Sequence, residues 1–307
     1  MAIIAIAGGT GPVGKCIVDG LVQHGGYKVF VLSRRENLPA SGVNYLLAQY
    51  ADIEATAQAL QQAKIDTLIC AIGVRDEKAS EAQTNLIRAS HISSTTRRFI
   101  VSAYDKLQVP EHASLTPRVK YTLDALEELE KTDLSYTRVV NGLFLDYYGM
   151  PHWKTPLHPW LNAVNMEKKW AVIPGDGSAQ ADFITSQDLG TFIGRLMDLE
   201  HWDKVSSIVS NTMTMNKLVE LAEKTRGCKF KVVHDSLDRL KSGKISFIEE
   251  FPPIGRGDGD QAYFALIHYQ IGLGYYRVPN ENTLNERLSD IVVTSAEEVM
   301  KRSWGGR

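Results

Sequence analysis

The sequence predicts an α/β fold with a doubly wound parallel sheet, and two observations predict it. Short apolar runs alternate with amphipathic stretches of helix length through the first half of the 307-residue chain. Nearly continuous apolar strands separated by helices are typical of a parallel sheet that is covered on both faces. The first run also passes directly into a glycine-rich segment, AGGTGPVG, where the first helix should begin. Right-handed crossovers then give a doubly wound sheet.

The alternation places each element of the first half. We predict strands at residues 2–7, 27–33, 43–48, 65–72, 97–102 and 135–140, and helices at 12–24, 53–63, 79–93 and 117–131. The last helix shows the pattern well, because Pro117 suits a first turn and the apolar residues Val119 and Leu123 recur at helical spacing.

The composition changes after about residue 145, where LFLDYYGMPHWKTPLHPW is rich in aromatic residues and proline. We predict, in order, two short strands around the Gly-Asp-Gly turn, a helix from near Ser186, a strand at 206–214, a helix at 215–226, a strand at 229–234, and helices near 262–272 and 294–303. We therefore divide the chain into a first domain, 1–150, and a smaller α+β substrate-binding region, 151–307. Segments around 170–210 are expected to return to the first domain.

Composition excludes several classes of partner. The formal net charge is −2, so no basic field favours nucleic acid or an anionic membrane. No apolar run reaches the length of a transmembrane helix, and the N-terminus lacks the basic start of a signal peptide. We expect a cytoplasmic protein.

Cysteine and histidine usage argues against disulfides and metal. Cys16, Cys70 and Cys228 are far apart, and the first two lie in apolar surroundings typical of small core residues. The eight histidines are scattered without partners at metal-ligand spacing, so no metal site is expected.

The glycine-rich segment can be read in two registers. Gly9, Gly11 and Gly14 give G-x-G-x-x-G, whereas Gly8, Gly11 and Gly14 give G-x-x-G-x-x-G. Glycines between a strand and a helix let the backbone approach a pyrophosphate, which the helix N-terminus then binds. The segment therefore predicts a dinucleotide site in a Rossmann fold.

The end of the second strand indicates which dinucleotide binds. An NAD site places an acidic residue about 20 residues beyond the glycines. Here that position holds Ser33, Arg34 and Arg35. A planar guanidinium suits a 2′-phosphate, which favours NADP(H).

Four segments together resemble a known family: AIAGGTGPVG, VLSRRE, SYTRVVNGLFLDYY and GDGSAQADFITSQDLGTFI. They are similar to the NmrA-like and isoflavone-reductase-like branch of atypical short-chain dehydrogenases, over roughly residues 1–230. The resemblance implies the G-x-x-G-x-x-G register and NADP(H) as cofactor. It implies a cofactor site made of Gly8, Thr10, Gly11, Pro12, Val13, Gly14, Ala71, Ile72, Gly73, Asn141, Gly142 and Phe144.

The same resemblance indicates where catalysis would occur. Typical short-chain dehydrogenases use Tyr-x-x-x-Lys; here Thr116 stands at the tyrosine position and Lys120 at the lysine position. Lys120 could hold the nicotinamide ribose or protonate a developing oxyanion, and partial burial would lower its pKa. Ser102 and Tyr104 follow the fifth strand at the ligand-binding edge, where Ser102 would touch the nicotinamide end of the cofactor and Tyr104 would be an auxiliary proton donor.

Aromatic residues after the sixth strand are candidates for an apolar substrate wall: Tyr147, Tyr148 and Trp153. Their alternative role is core packing. We expect an NADPH-dependent reductase of a small apolar, aromatic or polyketide-type metabolite. Two alternatives stay open. One is a non-catalytic NAD(P) sensor with a protein partner, favoured by the missing tyrosine. The other is a dehydratase or cyclase that uses the same fold.

Overall fold

The computed structural model describes residues 1–34, 43–159, 163–251, 253 and 259–307. Two compact units divide the chain. Unit 1 comprises Met1–Val140, Leu189–Ile208 and Asn282–Ile291, and unit 2 comprises Asn141–Asp188, Val209–Glu281 and Val292–Arg307.

Strands and helices alternate through the first half, as the apolar pattern predicts. The strands are β1 (Ile3–Ala7), β2 (Lys28–Ser33), β3 (Asn44–Leu47), β4 (Thr67–Cys70), β5 (Arg98–Val101), β6 (Ser135–Val140), β7 (Leu143–Phe144), β8 (Val164–Asn165), β9 (Trp170–Pro174), β10 (Gln180–Ile184), β11 (Val205–Ser207), β12 (Asn211–Thr214) and β13 (Lys231–Asp235). The helices are α1 (Pro12–His24), α2 (Ile53–Gln62), α3 (Glu77–Ile92), α4 (Pro117–Leu129), α5 (Asp146–Gly149), α6 (Ser186–Leu196), α7 (Met215–Arg226), α8 (Leu237–Lys241), α9 (Gly259–Gly272), α10 (Leu284–Arg287) and α11 (Ala296–Trp304).

Unit 1 is built on a seven-stranded sheet in the order β11-β6-β5-β4-β1-β2-β3. Every pairing in this sheet is parallel. The order reverses at β1, where the chain turns from one half of the sheet to the other. This arrangement confirms the predicted doubly wound fold, and its ligand edge lies at the carboxyl ends of the strands.

Close helix packing secures α1 in unit 1. A Cβ atom added at Gly20 would lie 2.1 Å from the carbonyl oxygen of Gly190 on α6. The two backbones touch because neither position carries a side chain. Cys16 on α1 and Cys70 on β4 are both buried, which confirms their prediction as small core residues.

Unit 2 holds two small mixed sheets, ordered β12-β10-β7 and β13-β9-β8. Its core is rich in large side chains, among them Tyr148, Trp170, Phe183, Phe264 and Trp304. The predicted pair of strands around the Gly-Asp-Gly turn is present as β9 and β10, and each belongs to a different sheet.

The chain after β6 differs from the prediction in its strand at 206–214 and in its domain bounds, and it also contains β7, β8, α5, α8 and α10, which were not predicted. The predicted strand at 206–214 is two strands, because the chain leaves unit 1 at Ile208 and enters unit 2 at Val209. The first segment of unit 1 ends at Val140 rather than at 150, and the returning segments are 189–208 and 282–291 rather than 170–210. Apolar and β-branched residues predict a strand, but they do not say which sheet accepts it.

The described part of the chain contains no group of three or more histidine, cysteine, aspartate or glutamate side chains that could hold a metal ion. None of its helices is both long enough and apolar enough to cross a membrane.

Candidate functional site

The loop between β1 and α1 is shaped by its glycines. The N–H of Gly11 donates to the carbonyl of Gly8 at 2.9 Å, which closes a tight turn. A Cβ atom on Gly14 would lie 2.0 Å from that same carbonyl oxygen, and one on Gly8 would lie 2.6 Å from the carbonyl oxygen of Ala71. Gly8 also has a φ of +80°, which L residues rarely adopt. These positions therefore admit only glycine.

Gly9 is restricted as well. A Cβ there would lie 2.7 Å from a methyl carbon of Val31 on β2. Gly11 is less crowded, since its nearest neighbour would be 3.2 Å away. The structure thus requires glycine in both registers: Gly8 and Gly14 shape the turn, and Gly9 lets the loop pack on β2.

The N-terminus of α1 is suited to an anion. Gly11 is its N-cap residue in extended conformation, and no described side chain caps the helix. Pro12 occupies the first turn, which contains no acidic residue. The N–H groups of Val13 and Gly14 therefore stay available at the positive end of the helix, where a phosphate binds favourably. Thr10 and Pro12 lie exposed beside them.

The end of β2 is held by the chain that follows β3. The Ala48 N–H donates to the Ser33 carbonyl at 2.9 Å, and Gln49 Nε2 donates to the Arg34 carbonyl at 3.2 Å. Arg34 is exposed at this end. Arg35, predicted to assist it, lies outside the described residues.

The ends of β4 and β5 are joined by side-chain hydrogen bonds. Ser102 Oγ donates to the Ile72 carbonyl at 2.7 Å, and the Tyr104 hydroxyl donates to the Cys70 carbonyl at 3.0 Å. The buried Gln83 of α3 accepts the Ser102 N–H at 3.0 Å. Ser102 and Tyr104 thereby fix the backbone that precedes the exposed Gly73.

Tyr104 is poorly prepared for its predicted role as a proton donor. Burial, followed by the nearby Cys70, raises the pKa of its hydroxyl well above the ordinary value. The hydroxyl proton is also engaged by a main-chain carbonyl. A weaker acid with an occupied proton donates less readily, so the geometry describes a structural tyrosine.

The predicted burial of Lys120 is wrong. Its side chain is 71% exposed, and Nζ lies 2.6 Å from Asp124 Oδ2, one turn along α4. The hydrogen bond to Asp124 raises the pKa of Lys120, whereas partial burial would have lowered it. The helical pattern placed Lys120 at the edge of the apolar stripe, and a residue at that edge can face either side.

Lys106 is a buried lysine that the sequence interpretation missed. It lies just beyond β5, is 2% exposed, and places Nζ 3.3 Å from Gln108 Oε1. Burial lowers the pKa of Lys106, and the guanidinium of Arg118 acts in the same direction. The sequence signal that could have identified Lys106 was its position near a strand end, directly after Tyr104 and Asp105.

In unit 2, the residues predicted to lie beside the nicotinamide form a compact turn. Gly142 has a φ of +71°, and a Cβ there would lie 2.2 Å from the Asp182 carbonyl oxygen. Asn141 is fully buried, and its Oδ1 has no hydrogen-bond partner among the residues that the structure describes. Phe144 is also buried.

The three aromatic residues that were predicted to form a substrate wall have different surroundings in unit 2. Tyr148 is buried in the core, where its carbonyl accepts the Trp304 indole N–H at 2.9 Å. Trp153 packs against that core and donates to Gln187 Oε1 at 3.3 Å. Tyr147 is half-buried, with its ring 6.3 Å from that of Phe144. Core packing accounts for Tyr148, and Tyr147 is the more accessible candidate.

The parallel sheet, the glycine loop and the uncapped α1 together define an α/β protein with the architecture of dinucleotide-binding folds. The sequence profile of the NmrA-like family matches residues 2–266. The chain belongs to the NmrA-like family, as its motifs predicted.

Curated relatives are named as reductases or oxidoreductases. Oxidoreductase swnN of Metarhizium robertsii is 28% identical over 337 residues, covering 99% of this chain and 98% of the relative. Phenylcoumaran benzylic ether reductase Pyrc5 of Pyrus communis is 30% identical over 243 residues, covering 73% of this chain and 74% of the relative.

A solved structure shares the fold across the whole chain. The binary complex of leucoanthocyanidin reductase with NADPH, from Vitis vinifera, superposes with a TM-score of 0.74. The identity is 17%, and the match covers 98% of each chain. At this identity the likeness establishes the architecture, a doubly wound sheet with an additional smaller unit.

Proposed function

We propose that the protein is an NADPH-dependent reductase of a small aromatic or otherwise apolar metabolite. The loop from Gly8 to Gly14, here called the glycine cradle, carries this proposal. Its tight turn admits no side chain at Gly8 or Gly14, and no described side chain caps the start of α1, where a pyrophosphate would bind favourably. The names of swnN and Pyrc5 support an oxidoreductase.

The residues of unit 1 fit the cofactor. The N–H groups of Val13 and Gly14 would bind the pyrophosphate, and exposed Arg34 would bind the 2′-phosphate through its planar guanidinium. Ala71, Ile72 and Gly73 would border the adenosine ribose. NADPH, when bound, supplies the hydride that reduces a carbonyl, an enone or a benzylic position.

Three residues of unit 2 have features that suit the roles predicted for them. The unpartnered Oδ1 of Asn141 is a buried acceptor, a group that a cofactor amide or hydroxyl can satisfy. Phe144 and Tyr147 offer aromatic surface for an apolar substrate.

The hydrogen bonds and the exposure of the two predicted proton donors favour a second function. Lys120 is exposed and paired with Asp124, and the Tyr104 hydroxyl is bound to a carbonyl. A redox sensor, which binds NAD(P) and reports to a protein partner, needs neither group as an acid. This candidate is therefore the one against which the reductase is tested.

Nucleotide titration followed by a turnover screen separates the two functions. Purified protein is titrated with NADPH and NADH, and NADPH oxidation is then measured with quinones, enones and aromatic ketones. We expect tighter binding of NADPH and turnover with an aromatic member of the panel. Tight binding without turnover across the panel would favour the sensor, and absence of NADPH binding would overturn both functions.

A further inference from the structure

The segment after β3 makes a set of contacts that the cofactor argument has not yet used. Ala48 and Gln49 bind the carbonyls of Ser33 and Arg34, as described above. The next residue, Tyr50, donates its hydroxyl to the carbonyl of Leu32 at 3.3 Å. Three consecutive residues thus hold the carbonyls of Leu32, Ser33 and Arg34, at the end of β2 and just beyond it.

The surroundings of the Tyr50 hydroxyl include the Arg34 guanidinium. Burial raises the pKa of this phenol to about 12, with a further contribution from Cys70, and Arg34 acts in the opposite direction. The phenol is therefore held at the end of β2 and lies within the field of Arg34.

We propose that Tyr50 is a positioning residue of the dinucleotide site that holds the end of β2, and with it Arg34, in place beside the glycine loop. Its hydroxyl donates to the carbonyl of Leu32, two residues before Arg34, while Ala48 and Gln49 bind the carbonyls of Ser33 and Arg34. This inference rests on the proposed function, since it concerns the cofactor assigned there.

The expected consequence is selectivity between the two nicotinamide cofactors. NADPH must contact the loop with its pyrophosphate and Arg34 with its 2′-phosphate at the same time, so a fixed spacing favours its binding. NADH lacks the 2′-phosphate and depends on the loop alone. Loss of the Tyr50 hydroxyl should therefore weaken NADPH binding more than NADH binding.

The test compares nucleotide affinities rather than turnover. Kd values for NADPH and NADH are measured by fluorescence titration for the wild type, Tyr50→Phe, Arg34→Ala and the double variant. For Tyr50→Phe we expect a roughly 3- to 10-fold higher Kd for NADPH, as for one lost hydrogen bond. We expect a change under about twofold for NADH. In the Arg34→Ala background, Tyr50→Phe should change the Kd for NADPH by less than about twofold, because coupled residues are not additive.

Tyr45→Phe is the matched control, because it removes a phenol from the half-buried Tyr45 of β3 in the same unit. It should leave both affinities unchanged. A Tyr50→Phe variant that weakened NADPH and NADH equally, or that kept its full effect without Arg34, would overturn the inference and indicate a purely structural tyrosine. Unchanged NADPH affinity would also overturn it. Wild-type protein that bound no NADPH would overturn the proposed function itself.

Discussion

The loop after β1 and the segment after β5 lie at the same edge of the unit 1 sheet, but their polar groups make different contacts. The first leaves main-chain N–H groups uncovered at the start of α1. In the second, Ser102 and Tyr104 donate to strand-end carbonyls, and Lys106 is buried. One region presents hydrogen-bond donors to a ligand, and the other uses its hydroxyl donors to hold the backbone.

This difference distinguishes the backbone N–H groups, which could bind a ligand, from the side chains, which could act as acids. A cradle of backbone groups stays ready without a ligand, because glycine and helix geometry maintain it. Side-chain acids depend on burial and on neighbouring charges, so each must be measured individually. Four variants of unit 1 test the comparison, from the largest expected effect to the smallest.

Gly14→Ala should abolish the cradle. The new methyl group would overlap the Gly8 carbonyl at 2.0 Å, so the loop must move and its N–H groups lose their alignment. We expect the Kd for NADPH to rise about 100-fold or more, the loss of one or two charge-assisted hydrogen bonds. Titration of Asp19→Ala, on the exposed face of α1, is the control. Near-normal NADPH affinity in Gly14→Ala would show that the loop does not bind the cofactor.

Arg34→Ala should remove discrimination between the cofactors. The guanidinium can pair with a 2′-phosphate, so its loss should raise the Kd for NADPH roughly 10- to 100-fold and leave that for NADH unchanged. The exposed Arg97, on the same unit, provides the control variant Arg97→Ala. An equal loss for both nucleotides would assign Arg34 to the pyrophosphate instead.

Lys106→Met should change the pH dependence of stability. The folded-state pKa of Lys106 is lowered, so the unfolded chain binds more protons between that pKa and the ordinary value of 10.5. Stability of the wild type therefore rises with pH across this window, and a methionine removes the rise. Urea unfolding at pH 7 and pH 10 should show the variant losing stability relative to the wild type at the higher pH.

Lys120→Met controls that measurement, because the pKa of Lys120 is raised rather than lowered. Its stabilising contribution persists below the ordinary value and is lost only as pH rises through the folded-state pKa. The wild type and Lys120→Met should therefore keep the same difference between pH 7 and pH 10. A Lys106→Met curve parallel to the wild type would mean that this lysine titrates as an exposed one.

Lys120→Ala should have the smallest effect on activity. An exposed i,i+4 ion pair contributes little, so we expect kcat and KM for NADPH oxidation within about twofold of the wild type. Asp124→Ala removes the same pair from the other side and should behave alike. A selective fall in kcat of more than about tenfold in Lys120→Ala would restore its predicted catalytic role.

The sequence predicted the sheet and the cradle because both depend on local patterns. Apolar runs separated by helices define parallel strands, and glycines that directly follow a strand are typical of close backbone approach, which the structure requires at Gly8 and Gly14. The position at the end of β2 that selects the cofactor was predicted by counting about 20 residues beyond the glycines.

Side-chain environments could not be predicted in the same way. The helical pattern of α4 placed Lys120 at the boundary between the apolar and the polar face of the helix. A small rotation of the helix about its axis decides whether a residue at that boundary is buried or exposed to water. Tyr50 gave no signal, because its hydroxyl donates to the carbonyl of Leu32 on β2, which is distant in sequence. The aromatic segment after β6 predicted apolar surroundings, but burial of Tyr148 depends on Trp304, far along the chain.

The contact between Gly20 and Gly190 has a consequence for biosynthesis. Unit 1 takes its edge strand β11 and the partner of α1 from residues 189–208, and it is completed by residues 282–291. A nascent chain cut after residue 150 would therefore lack part of the nucleotide-binding unit and expose a glycine face of α1. The last segment of the unit that is first in sequence, 282–291, is therefore synthesised only after two segments of unit 2, 141–188 and 209–281.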